Sequence, residues 1–152
     1  MLDNILTYFL LCLAGTWSGS KESFEFAEGA RGILITACRR MRLFDNRPAP
    51  IDVTEYQDAG CPIDDAKWLA WVEFEKSKRL GLSTYLYDCQ YPALFNIQHF
   101  VSKGETAHLT FPCADDLWRA PCAQEWKAIL APSILPIPEY VPLPPRLSYA
   151  DK

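Results

Sequence analysis

The chain has 152 residues, of which 49% are hydrophobic and 22% charged, and its formal net charge is -4. Such a length and balance describe one ordinary globular domain, able to bury about two-thirds of the surface its unfolded chain exposes. They argue against a direct grip on nucleic acid, which usually needs a concentrated basic surface. Five tryptophans within a 13% aromatic share require a core or a partner to cover them.

In chain order, the first expected helix covers residues 3–15, with Asp3 as its N-cap. Ile5 to Ala14 is apolar on most faces, which places this helix in the middle of a bundle. The stretch is too short to span a membrane, which takes about 20 apolar residues. It also lacks the basic start of a signal peptide. Because the chain opens almost inside this helix, a fragment of something longer is expected. Residues 16–20 form a turn.

The second helix is expected over residues 22–43. Phe26, Ala27, Ala30, Ile33, Leu34, Ala37, Cys38 and Met41 share one face about 140° wide. Small residues in its first half allow close packing against a neighbouring helix. Arg39, Arg40 and Arg42 close it, and cations there complement the helix dipole. The competing reading of this cluster is a small anion patch. Residues 45–65 form a polar connector broken by Pro48, Pro50, Gly60 and Pro62, with a short helical turn near residues 53–58.

The third helix is expected over residues 64–89, capped by Asp64 or Asp65 and ended by Pro92. Wound at about 100° per residue, Trp68, Trp71, Val72, Glu75, Arg79, Leu82 and Leu86 share one stripe. An acid and a base thus fall on an apolar face. A lone buried charge is costly, so Glu75 is expected to pair with Arg79, four residues on, or with charges on other helices. Residues 91–102 are mixed, residues 108–111 could be a short extended piece, and 115–131 read as a loop followed by a helix near 123–130. Asp115 and Asp116 are expected to cap that last helix. From Pro132 the chain holds six of its twelve prolines, so it should be extended or disordered.

Chemistry is hard to find. GxSxG, P-loop, GxGxxG and HExxH patterns are all missing. His99 and His108 are expected to be structural or solvated. The cysteines at 12, 38, 61, 89, 113 and 122 show no zinc-ligand spacing and are expected to be reduced thiols. No catalytic, cofactor-binding or metal-binding residue is therefore assigned. Trp68 and Trp71 lie near Lys67, Lys76 and Lys78, as in a single-strand stacking surface, but their apolar stripe favours packing.

Four motifs in order resemble the fungal-specific transcription factor domain, the middle homology region of fungal zinc-cluster and zinc-finger factors. The first is Trp17-Ser18-Gly19 after a short apolar helix. The second runs from Gly32-Ile33-Leu34 to Arg39-Arg40-Met41-Arg42-Leu43-Phe44. The third is Trp68-xx-Trp71-xxx-Glu75-xx-Lys78-Arg79-Leu80, continuing to Leu86 and Asp88. There Lys78 replaces an arginine, which keeps the charge and loses the planar fork. The fourth is Phe111-Pro112-Cys113 through Leu117-Trp118-x-Ala120, then Glu125-Trp126, with Phe111 in place of the usual leucine.

The resemblance covers roughly residues 2–127 and marks Trp68, Trp71, Glu75, Arg79, Asp88, Pro112, Trp118 and Trp126 as a structural signature. It implies an all-α, irregular bundle of three or four main helices over residues 1–131, with a proline-rich extended tail over 132–152. It further implies a nuclear regulatory region that is not an enzyme. Zinc and DNA binding would belong to a separate module of the parent protein. Partners would be proteins or a second copy, meeting exposed helical faces. A truncated chain without independent activity, or a small helical ligand-binding protein or enzyme, remain the other readings.

Overall fold

The computed structural model describes residues 1–45, 62–107 and 109–130. Among them it contains six α-helices and no strand, so the all-α expectation holds. The helices are α1 (Leu2–Trp17), α2 (Lys21–Arg40), α3 (Ile63–Phe95), α4 (Lys103–Thr106), α5 (Asp115–Trp118) and α6 (Ala123–Leu130). The expected turn near 53–58 and the proline-rich tail lie outside the described residues, as do Cys61 and His108. Two compact units divide the chain: Met1–Asp45 with Arg79–Leu109, and Asn46–Lys78 with Thr110–Lys152. The single helix α3 contributes to both.

In the first unit, α1 buries Leu2, Ile5, Phe9, Cys12 and Thr16, one stripe at steps of three and four. Leu10 and Leu11 are exposed, so α1 is not wrapped on most of its faces as its hydropathy suggested. A helix buries only the stripe its neighbours reach, however apolar the remainder. Met1 occupies the N-cap position and Asp3 lies in the first turn, so Asp3 is not the cap. The helix also runs two residues past Gly15. Gly15 itself is a packing residue, because a Cβ there would meet the Ser23 carbonyl oxygen at 2.8 Å and the Ala27 Cβ at 3.1 Å. The small residues early in α2 do permit that approach.

Helix α2 is capped by Ser20, whose side chain accepts from the Ser23 N–H. It buries Ala27, Ala30, Arg31, Leu34, Ile35 and Cys38, whereas Phe26 and Ile33 are 62% and 64% exposed. The buried face is therefore turned by roughly 60° from the one the apolar residues define, at about 100° per residue. Its C-terminus closes in a Schellman pattern: Arg42 N–H donates to the Arg39 carbonyl at 2.9 Å and Leu43 N–H to the Cys38 carbonyl at 3.0 Å. Arg42 takes the left-handed conformation (φ 56°) usually given to glycine.

Helix α3 begins at Ile63, so Asp64 and Asp65 fall in its first turn rather than capping it. It passes through Pro92 and reaches Phe95. The missing N–H leaves the Asp88 carbonyl without its helical donor but does not stop the helix. The helix stops at Asn96, which is left-handed (φ 56°), with Ile97 N–H returning to the Tyr91 carbonyl at 3.3 Å. Residues 68–75 keep the expected inward stripe of Trp71 and Glu75. From residue 79 on, the buried positions are Leu80, Leu82, Thr84, Tyr87, Asp88 and Tyr91, mostly a second stripe, and Leu86 is exposed. Gly81 is required by proximity: a Cβ there would come within 2.3 Å of the Leu43 carbonyl oxygen. Asp115 and Asp116 open their own one-turn helix, α5, and do not cap α6.

Candidate functional site

The first unit is organised around buried polar groups. Asp88 is completely buried, and its Oδ2 accepts the backbone N–H groups of Phe100 and Val101, each at 2.8 Å. Its Oδ1 faces Arg31 Nη1 at 3.4 Å, an ion pair without hydrogen-bond alignment. Arg31, only 1% exposed, donates from Nη2 to the Gln98 carbonyl at 2.9 Å. Its guanidinium carbon lies 3.8 Å from the Tyr91 ring centre and 4.4 Å from that of Phe100. One acid on α3 and one base on α2 thus pin the strap 98–101 between them. Beside them, Thr16, Tyr87 and Tyr91 join their hydroxyls at 2.8 to 3.0 Å. Burial above all holds the Tyr87 phenol above its ordinary pKa.

The second unit gathers most of the expected signature. Trp71 and Trp126 are buried with ring centres 5.5 Å apart, joined by Leu117 and Ala120. Trp68, Trp118 and Cys113 pack against that cluster. Glu75 is 1% exposed. Its Oε2 meets Lys78 Nζ at 2.6 Å and its Oε1 accepts the Cys113 N–H at 2.7 Å. The signature acid therefore holds the segment that follows Pro112, and Lys78 is a cation seated on it. Arg79 is half-buried and Asp88 fully buried, and both belong to the first unit. Asp64 and Lys127 form an ion pair between α3 and α6.

Sequence reasoning assigned neither Arg31 nor the Thr16–Tyr87–Tyr91 hydroxyls. Tyr87 and Tyr91, four apart on a helix, were a usable signal for the latter.

The three clustered arginines have separate tasks. Arg42 Nε meets Asp45 at 2.6 Å beside the helix cap. Arg39 binds Glu105 through Nε (2.6 Å) and Nη2 (3.1 Å), and Nη2 also reaches the Phe100 carbonyl at 2.7 Å. Glu105 completes a capping box with Ser102 at the start of α4. Arg40 is exposed at the end of α2.

The Arg39 guanidinium, followed by the Ser102 N–H, lowers the Glu105 carboxyl to about 2 from its ordinary 4.5. A depressed acid stabilises the fold above its unfolded value, and that contribution fades as pH falls through the interval down to about 2. Arg39 and Glu105 are 42% and 32% exposed, so solvent screening holds the contribution to about 1 kcal/mol. Glu105→Gln should cost about that much at pH 7, with the deficit shrinking between pH 4.5 and 2. Urea unfolding at a series of pH values measures it, and a deficit constant with pH would assign the effect to packing.

Nucleophilic chemistry finds little support in these side chains. Cys12, Cys38 and Cys89 carry free thiols whose pKa values burial pushes up, away from the reactive thiolate. His99 is exposed. Among the described residues, no group of three His, Cys, Asp or Glu side chains could hold a metal ion, and no helix is long and apolar enough to cross a membrane.

These features define a helical packing domain whose buried charges and aromatic rings fix its own segments. Residues 2–141 match the fungal specific transcription factor domain, and the chain belongs to that family. It is 24% identical over 118 residues to Transcription factor PfmaH of Pestalotiopsis fici, covering 74% of this chain and 11% of that protein. It is 28% identical over 115 residues to Transcription factor 1 of Elsinoe fawcettii, covering 76% and 12%. With Zinc finger protein klf1 of Schizosaccharomyces pombe it shares 29% identity over 97 residues, covering 59% and 12%. The chain thus spans 11–12% of the length of these curated relatives. No solved structure matches it. A role in transcription regulation follows from the family, and the first two of these relatives are named as transcription factors, not as enzymes.

Proposed function

We propose that this chain is part of the regulatory region of a nuclear fungal transcription factor acting on RNA polymerase II genes. In this reading, DNA and zinc binding belong to a separate module of the parent protein. The observation that carries it is the family match over residues 2–141 in a chain of net charge -4. The region works by shifting between packings that a ligand or a protein partner stabilises unequally. Partners meet it through exposed apolar helix faces, such as that of Leu10 and Leu11 on α1.

Fusing the chain to a heterologous DNA-binding module, with and without an added activation segment, tests this in yeast. Reporter output should change several-fold relative to the fusion lacking the chain. Purified chain alone should give no sequence-selective binding to duplex DNA at physiological salt. Nanomolar selective binding, or a fusion indistinguishable from its control, contradicts the reading.

A further inference from the structure

The first unit holds a groove of about 590 Å³ between α1 and α2, within the usual range for small-molecule sites. Ile5, Tyr8, Ile33, Leu34 and Ala37 give it mainly apolar walls, and Arg40 stands among the lining residues. Of the three arginines ending α2, Arg39 is committed to Glu105 and Arg42 to Asp45. Arg40 has no ion pair or hydrogen-bond partner among the described residues. An uncommitted guanidinium beside an apolar trough matches one kind of ligand, because it offers a forked donor to planar acid groups.

The groove also explains an oddity of α2. Ile33 is 64% exposed although its neighbour Leu34 is fully buried. Both line the groove, Leu34 fully buried and Ile33 as open apolar surface that a bound molecule would cover. A protein interface normally buries about 800 Å² per partner, whereas this concave site is sized for one small molecule.

We propose that the α1–α2 groove binds a small apolar molecule ending in a carboxylate, with Arg40 receiving the acid group. The site deepens the regulatory reading, on which its biological purpose rests, but binding itself is independent of transcription. A ligand there would bridge α1 to the end of α2 and favour the packing in which the two helices are joined.

The test uses the purified chain with dodecanoate and dodecanol as probes, followed by amide chemical shifts. Dodecanoate should bind saturably and shift the amides of Ile5, Tyr8, Leu34 and Ala37. Arg40→Gln should weaken dodecanoate about tenfold and leave dodecanol unchanged. Ala37→Trp, which fills the groove, should abolish both. Arg42→Gln, at a neighbouring arginine outside the groove, should change neither. Unchanged thermal midpoints confirm that Arg40→Gln and Arg42→Gln are folded. Shifts confined to other residues, absence of saturation, or equal loss for acid and alcohol overturn the proposal. The binding test reads amide shifts of the purified chain and the reporter test reads transcription without added ligand, so a failed binding test leaves the transcriptional reading standing and the reverse also holds.

Discussion

Asp88→Ala should lower the stability of the chain by about 3–5 kcal/mol, read as a shift of the urea midpoint at constant slope. The substitution removes the acceptor of two backbone N–H groups and the counter-charge of a base that is 1% exposed. Arg31 would keep the Gln98 carbonyl and the two aromatic faces, but its charge would be uncompensated in a dry site. Asp88→Asn should fall between, because one amide oxygen can still accept. Adding Arg31→Met to Asp88→Asn should recover part of the loss, since removing both charges avoids stranding either one. Lys21→Ala is the comparison: its pair with Glu25 is 89% and 61% exposed and should change stability by less than about 0.5 kcal/mol. An Asp88→Ala chain as stable as Lys21→Ala would mean that Asp88 does not hold residues 100 and 101.

The same residues mark what sequence reading could reach. Periodicity found α1, α2, α3 and α6 because each buries apolar side chains at steps of three and four. It misjudged the inward face of α2 because it weighed Phe26 and Ile33 by hydropathy and could give no inward weight to Arg31. Arg31 enters the core with partners supplied by distant segments, Asp88 and the carbonyl of Gln98. The stripe drawn along α3 worked at Trp71 and Glu75 and failed at Leu86. A wheel assumes one burial environment per helix, and α3 serves two units.

Proline at 92 predicts a stop, yet the stop lies four residues later at a left-handed asparagine. Helix α4 escaped notice although Ser102 and Glu105 have capping-box spacing, because no apolar run follows them. The family signature fared differently. Its acid at 75 could be seen to need burial and a cation from its position among tryptophans. Lys78 reaches it from one turn further along the same helix, whereas its other oxygen holds the Cys113 backbone only because the chain folds back from 38 residues away.

Glu75→Leu carries the second large expected effect, a loss of about 3 kcal/mol or more, although it places a hydrophobic side chain in a buried position. The gain from burying leucine is about 1.5–3 kcal/mol. Against it stand the lost contacts of the acid to Lys78, at 10% exposure and 2.6 Å away, and to the Cys113 N–H. Breaking a buried pair by removing one member costs about 3–5 kcal/mol, and removing the acceptor of a part-buried N–H adds about 1 kcal/mol. The losses exceed the gain, so leucine should destabilise. Glu75→Gln separates the two costs, because its amide oxygen can still accept from Cys113 while the ion pair with Lys78 is lost.

Glu73→Leu, two residues away with a 54% exposed side chain paired to Lys76 at 3.8 Å, should stay within about 0.5 kcal/mol. Tryptophan fluorescence reports the outcome directly, since Trp71 and Trp126 lie in the cluster that Cys113 packs against. In Glu75→Leu their emission should move towards the red at a lower urea concentration than in Glu73→Leu. Coincident curves would show that the acid at 75 is dispensable to the cluster, and with it the physical reason for an acid in the signature helix.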